Sequence, residues 1–262
     1  MQTALSTHVI VEHRDGTAIV TMNRAEKRNA LSLELMRELT AAFRAIAGDR
    51  SVHAVILRGE GPAFSSGHDL RELLGRAPNE YREIFDACVV LMETIVAIPQ
   101  PVIAEVAKIA TAAGCQLVAT CDLAVASTDA TFATPGVRIG LFCSTPMVPL
   151  SRAIGRRRAM EMLLTGEPIT ARTAADWGLV NAVVPPESLH DAALDVARRI
   201  GSASRTVVGI GKAAFYAQID LSQPAAYAYT KETMARNALE EDAQEGIEAF
   251  LSKRTPAWKS DS

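Results

Sequence analysis

Three short apolar runs, AVILRG (54–59), PVIAEVAKIA (101–110) and DLAVAS (122–127), constrain this chain more than any other feature. Short apolar runs of this kind, placed between helical patterns, read as buried strands. Between the strands the apolar spacing changes. After Ser32, an N-cap, Leu35, Leu39, Ala42, Phe43 and Ile46 recur at helical intervals. A second helix starts near Asn79, with Tyr81, Ile84, Cys88, Leu91 and Ile95 as its stripe, and Pro99 and Pro101 stop it. HVIVEH and TAIVTMN alternate about Asp15-Gly16, a dipeptide suited to the positive dihedrals of a tight hairpin. With a further short strand at 131–133, the first 185 residues read as α/β with buried strands. Beyond Pro185-Pro186 only helical periodicity follows, over 187–201, 204–218 and 224–251. This last region is too short and alanine-rich for a core of its own, so it packs on its own body or on another subunit.

At 262 residues the chain suits one large domain, or a domain with an appended subdomain. Lys plus Arg number 27 against 30 Asp plus Glu, a net charge of −3, which argues against a nucleic-acid or anionic-membrane partner. No apolar run approaches the length of a membrane span. The four cysteines, Cys88, Cys115, Cys121 and Cys143, have neither CxxC spacing nor a histidine cluster. They fit a reduced, cytoplasmic protein rather than a disulfide scaffold or a metal site. The N-terminus, MQTALSTHVIVEHRDG, reads as an ordinary structural start rather than a targeting segment.

Two loops carry the chemical interest. GPAFSSGHDL (61–70) follows a strand and enters a helix expected near Asp69, which leaves N–H groups around Gly67 and His68 facing a ligand. TAAGCQLVATCD (111–122) does the same after PVIAEV, with Ala112, Ala113 and Gly114 allowing close backbone approach. Two such donors make an oxyanion hole. The competing readings are an ordinary turn capped by Asp69 and close helix packing by the small residues. GIGKAA (209–214) matches a dinucleotide fingerprint but is followed by helix alone, so no βαβ unit supports it.

NRAEKRNALS (23–32), PAFSSGHDL (62–70), TAAGCQLVATCDLAVAS (111–127), TFATPGVRIGLF (131–142), AMEMLLTGEPITARTAADWGLVNAVVP (159–185) and GIEAFLSKRTPAW (246–258) together resemble the crotonase, or enoyl-CoA hydratase/isomerase, superfamily. FSSGHDL, ATAAGCQL and FATPGVRIGLFCSTP look closer still to its enoyl-CoA hydratase domain-containing protein 3 subgroup. The resemblance implies an α/β fold, a spiral of ββα units with a C-terminal helical subdomain, and homotrimers often paired as dimers of trimers. It divides the chain into an acyl-CoA-binding core, 1–200, and a helical oligomerisation region, 201–262. It implies a coenzyme A thioester as substrate or ligand, no permanently bound cofactor and no metal. By position, the carbonyl oxygen would be held by the N–H groups of His68 and Ala113. Lys27, Arg28, Ala30, Ser66, His68 and Leu70 would surround coenzyme A, with Phe250 and Lys253 supplied by a neighbouring subunit.

The same resemblance exposes departures. The family's two catalytic glutamates fall on Gln116 and Gly136, its usual Asn-Gly on Ala107-Lys108, and further usual glycines on Ala112 and Ala113. An amide orients water but does not exchange its proton near neutrality, and a positioned acid or base is worth roughly 10²–10⁴-fold. Ordinary hydration of a 2-enoyl-CoA is therefore expected to be very slow, and Gln116→Glu with Gly136→Glu is expected to raise it. Cys143, Ser144 and Thr145 follow Gly136 in a loop expected to face the acyl chain. Ser144 is a candidate for positioning substrate, and Cys143 is either buried packing or a nucleophile with a lowered pKa. Three functions stay open: an enolate-stabilising member of the family, a non-catalytic acyl-CoA binder, and another reaction on the same fold, such as thioester hydrolysis or decarboxylation.

Overall fold

A computed structural model describes residues 8–259. The first seven residues, part of the stretch read above as an ordinary structural start, and 260–262 of the C-terminal region lie outside the described residues. The chain opens with the expected hairpin, β1 (Val9–Arg14) and β2 (Thr17–Met22), turned by Asp15 and Gly16 at φ 48° and 73°. Helix α1 (Leu33–Ala47) follows, with the Ser32 side chain accepting from the Leu35 N–H. Then come β3 (Ala54–Gly59) and α2 (Pro78–Ala97), whose Glu80 carboxylate accepts the Ala77 N–H at 2.8 Å. Next are β4 (Val102–Val106), β5 (Ile109–Thr111), α3 (Ala113–Thr120), β6 (Leu123–Ser127) and β7 (Thr131–Ala133). The middle of the chain adds α4 (Met147–Ile154), α5 (Arg156–Thr165), β8 (Ile169–Thr170), α6 (Ala171–Trp177) and β9 (Ala182–Val184). The remainder is helical: α7 (Leu189–Gly201), α8 (Arg205–Gln218), α9 (Gln223–Asn237) and α10 (Glu241–Leu251).

Six strands form the main sheet in the order β1-β2-β3-β4-β6-β9, parallel except for the opening hairpin. A second sheet, β5-β7-β8, stands apart from it. The uniformly apolar strands follow from burial on both faces. Val20, Val55, Leu57, Val102 and Ala104 belong to one core with α1 and α2, while Ile19, Ile56, Ile103 and Val125 pack with Leu189, Ala193 and Ala197 of α7. Helix α7 thus covers the sheet's second face instead of joining the helices after it.

Two expectations are corrected. PVIAEVAKIA is not one strand: Lys108 turns at φ 57°, in the left-handed region, and sends β5 into the second sheet. Nor does a helix begin at Asp69, whose carboxylate accepts the Arg71 N–H and caps only a single 3-10 turn, Leu70–Leu73. Glu72 of that turn accepts the Leu33 N–H at 2.8 Å and so caps α1 instead. Glu105, a buried carboxylate on β4, pairs with His190 Nδ1 of α7 at 2.8 Å and with Arg58.

The GIGKAA segment lies inside α8, where Gly209 faces Pro99 and Lys212 reaches back to the core. Lys212 Nζ pairs with Asp122 at 2.8 Å and donates to the carbonyls of Ile95 and Gln100. The Tyr216 hydroxyl and the Val102 N–H complete the shell of Asp122. Helix α8 is thereby fastened beside the site by a buried ion pair.

Candidate active site

The loop after β3 runs back along the second sheet. Phe64 and Ser65 donate to the carbonyls of Ala107 and Ile109, and Thr111 donates to Ser65. The Ser65 hydroxyl donates to the Asn29 carbonyl at 2.8 Å and accepts the Gly67 N–H. Leu31 donates to the Gly67 carbonyl and accepts from Asp69. The N–H groups on either side of His68 are thus committed, while the His68 N–H has no acceptor among the described residues. At the start of α3 the Ala113 N–H is likewise unpaired, as first-turn amides of a helix are.

Two glycines let these loops interlock. A Cβ on Gly67 would lie 2.8 Å from the Ala112 Cβ and 3.1 Å from the Ala113 nitrogen, and one on Gly114 would lie 2.3 Å from the Ser65 carbonyl oxygen. No other residue fits at either place, so the two free amides belong to chain segments in direct contact. Ala112 sits at φ 50°, ψ −117°, a conformation that suits glycine and costs an L-residue of order 1–3 kcal/mol. Ala112→Gly is therefore expected to stabilise the protein by about 1 kcal/mol, read as a higher urea midpoint with an unchanged slope.

The His68 side chain stands edge-on to Phe85 of α2, and both ring nitrogens are buried without partners. Burial lowers its pKa to about 4, against a weak opposing effect of the Leu31 backbone. The folded chain therefore binds no proton there at pH 5–6, whereas the unfolded imidazole, near 6.5, does. This contribution to stability is complete above pH 6.5 and falls, by as much as roughly 3 kcal/mol, as the pH drops from 6.5 to 4. Denaturant titrations across that range are expected to show the loss in the wild type and a flatter profile in His68→Leu.

Gln116 is 3% exposed and lines a cavity of about 700 Å³ shared with Met92, Glu93 and Thr145. Its Oε1 accepts the Cys88 thiol at 3.8 Å. Another cavity, between α1 and α2, holds none of these residues. Gly136 is closed off: a Cβ there would lie 1.9 Å from the Leu141 carbonyl oxygen and 2.8 Å from Cys143 Sγ. A glutamate at this position, expected above to raise hydration together with Gln116→Glu, would have to displace the main chain of that loop. Burial raises the Cys143 pKa, opposed by a bond to the Gly136 backbone, so its thiol is not an activated nucleophile. Ser144 is exposed and donates to the Phe142 carbonyl, and Thr145 is the member of that loop on the cavity wall. Of the wall's carboxylates, Asp122 is tied to Lys212 and Asp220 to Arg152, and Glu93 has no ion-pair partner among the described residues.

Lys27 and Arg28 are exposed on a 3-10 turn and its left-handed exit, beside buried Ala30. Ser66 donates to the Arg28 carbonyl, which joins this turn to the His68 loop, and Leu70 is exposed just beyond. Asn29 and Arg24 escaped the sequence reading. Asn29 Nδ2 donates to the carbonyls of Glu60 and Ala63, and Arg24 clamps the Ala30 carbonyl and Asp69. Glu60, Ala63 and Asp69, partners remote in sequence, reveal these roles. Phe250 and Lys253 lie exposed at the end of α10, and within one chain no hydrogen bond or ion pair joins them to the first-loop residues.

A mostly parallel sheet with a second small sheet and a helical C-terminus places this protein in the crotonase fold. The enoyl-CoA hydratase/isomerase family model matches residues 12–261, and the chain belongs to that family. It is 47% identical over 246 residues to the mitochondrial enoyl-CoA hydratase domain-containing protein 3 of Rattus norvegicus, covering 94% of this chain and 82% of that one. The crystal structure of a Mycobacterium smegmatis enoyl-CoA hydratase superposes with a TM-score of 0.93 at 46% identity, covering 96% and 98% of the two chains. That of human enoyl coenzyme A hydratase domain-containing protein 3 gives 0.93 at 46% identity, covering 96% and 100%. The rat and human relatives are both named mitochondrial, which overturns the cytoplasmic placement drawn from the cysteines and the N-terminus. A reduced thiol set fits either compartment, so that inference had no power to separate them.

Proposed function

We propose that this protein binds acyl-CoA thioesters with the carbonyl oxygen held between the His68 and Ala113 N–H groups, which would stabilise a thioester enolate. The observation that carries the reading is the contact of two loops through Gly67 and Gly114, each presenting an unpaired amide at the point of contact. Donors fixed in this way need no reorganisation as charge develops, and each is typically worth about 2.7–4 kcal/mol in a transition state. Lys27 and Arg28 supply charge for the nucleotide phosphates, Ala30, Ser66 and Leu70 the path of the pantetheine, and Phe250 and Lys253 come from a neighbouring copy in a trimer or a dimer of trimers.

The protein lacks both carboxylates for hydration: Gln116 orients without transferring a proton, and Gly136 has no room for a side chain. The closure at Gly136 favours a second reading, a binder without turnover. Calorimetry with a panel of CoA thioesters, paired with a crotonyl-CoA hydration assay, tests both. Binding is expected, with hydration at least 10²–10⁴-fold below an enzyme with both groups. Fast hydration defeats the reading, and Glu93→Gln then tests the carboxylate on the wall that has no ion-pair partner among the described residues.

A further inference from the structure

Two glutamates of α1 and the histidine that precedes β1 meet near the surface. Glu34 and Glu38 stand four residues apart, on one face of the helix, and His8 leads into the hairpin beside them. His8 Nδ1 lies 3.8 Å from Glu34 Oε2 and 3.5 Å from Glu38 Oε1, and the three side chains offer ligand atoms that all lie within 4.8 Å of one another. The His8 main-chain N–H donates to Glu38 Oε2 at 3.2 Å, which holds one oxygen of that carboxylate and leaves the other toward the imidazole. The side chains of His8 and Glu38 are 24% and 19% exposed, whereas Glu34, at 68%, is an open arm.

Those separations distinguish a hydrogen-bonded ion pair from a ligand set. A charge-assisted N–H···O bond closes to roughly 2.7–2.9 Å, as His190 and Glu105 do at 2.8 Å elsewhere in the chain. His8 Nδ1 closes to neither carboxylate in this way. Ligands about 2.1 Å from one tetrahedral ion stand about 3.4 Å apart. Both imidazole separations are near that spacing, and Glu34, the exposed arm, has the freedom to close the third. One imidazole with carboxylates suits zinc and its first-row neighbours, whereas magnesium and calcium take oxygen sets. The four thiols are buried, which keeps them from an added ion.

We propose that His8 Nδ1 and the carboxylates of Glu34 and Glu38 form a site for a zinc-class divalent ion, completed by water, that clamps the entry of β1 to the first turns of α1. None of the three residues belongs to the candidate active site. The ion is therefore structural, and the site stands whether or not the protein binds acyl-CoA.

The full, untagged chain is stripped with a chelator and titrated calorimetrically with zinc chloride, with thermal unfolding followed in parallel. One zinc per chain is expected to bind with a Kd on the order of 10 μM, weaker than a four-ligand structural site because three side chains bind and one of them is exposed. At about 100 μM zinc the unfolding midpoint is expected to rise by roughly 3–5 °C. His8→Ala and Glu38→Gln, the second of which keeps an oxygen for the His8 N–H, are each expected to weaken binding by roughly tenfold or more and to remove the shift. His13→Ala, at the far end of β1, removes an imidazole outside the cluster and is expected to change neither. Magnesium chloride at the same concentration is expected to give no shift. No stoichiometric zinc uptake at about 100 μM overturns the proposal. An affinity unchanged in either variant also overturns it, because the zinc is then bound adventitiously elsewhere. An equal shift with magnesium would mean carboxylates acting without His8, and overturns it too. If His8→Ala does not fold, Glu38→Gln decides.

Discussion

Gly136→Glu is expected to lower the stability of this protein by about 3 kcal/mol or more and to give no hydratase activity, alone or with Gln116→Glu. The atom in the way is main chain: the Leu141 carbonyl oxygen would lie 1.9 Å from the new Cβ, and it belongs to a loop whose Leu141 N–H donates to the Gly136 carbonyl at 2.9 Å. A flexible side chain could swing aside, but a hydrogen-bonded carbonyl moves only with its loop, so the cost lies at or above the usual 1–3 kcal/mol of overpacking. Gln116→Glu by itself keeps the same outline. Urea denaturation of both single variants and the double, alongside a crotonyl-CoA assay, checks this. A Gly136→Glu protein with the wild-type midpoint and measurable hydration would show that the loop opens freely.

Asp122→Ala is the other large effect. Lys212, with its side chain 6% exposed, keeps a buried ammonium whose one ion-pair partner among the described residues is Asp122. Burial already pulls the Lys212 pKa down against the pull of Asp122. Removing one partner of a buried pair typically costs 3–5 kcal/mol because the other charge is stranded. The midpoint is expected to fall accordingly, and amide exchange in α8 to accelerate first, since the Tyr216 hydroxyl loses the same anchor. Lys212→Met removes the stranded charge instead and is expected to cost much less. Equal losses from the two substitutions would mean that packing of α8, and not its charge, fastens the helix.

Particular residues show what could be read before any coordinates. The Asp15-Gly16 hairpin, the Ser32 cap and the strands AVILRG and DLAVAS each follow from a local preference and stand where expected. Lys108 and Asp69 misled, because a left-handed turn occupied by lysine and a capped 3-10 turn carry no periodic signal. At the candidate site, the residue types at His68, Ala113, Gln116 and Gly136 were legible. Their surroundings were not: the Cys88 bond to Gln116 spans 28 residues, and the Gly67 approach to Ala113 joins loops from different parts of the chain.

The sequence by itself determined most of the secondary elements and the double-sided burial of the parallel strands, because these depend on neighbours along the chain or on residue identity alone. Only the tertiary structure decided that Gly136 has no space, that Gln116 lies against Cys88 and that a buried lysine pins α8. Each of these is a meeting of atoms distant in sequence, set by how the loops and helices pack and not by any local preference.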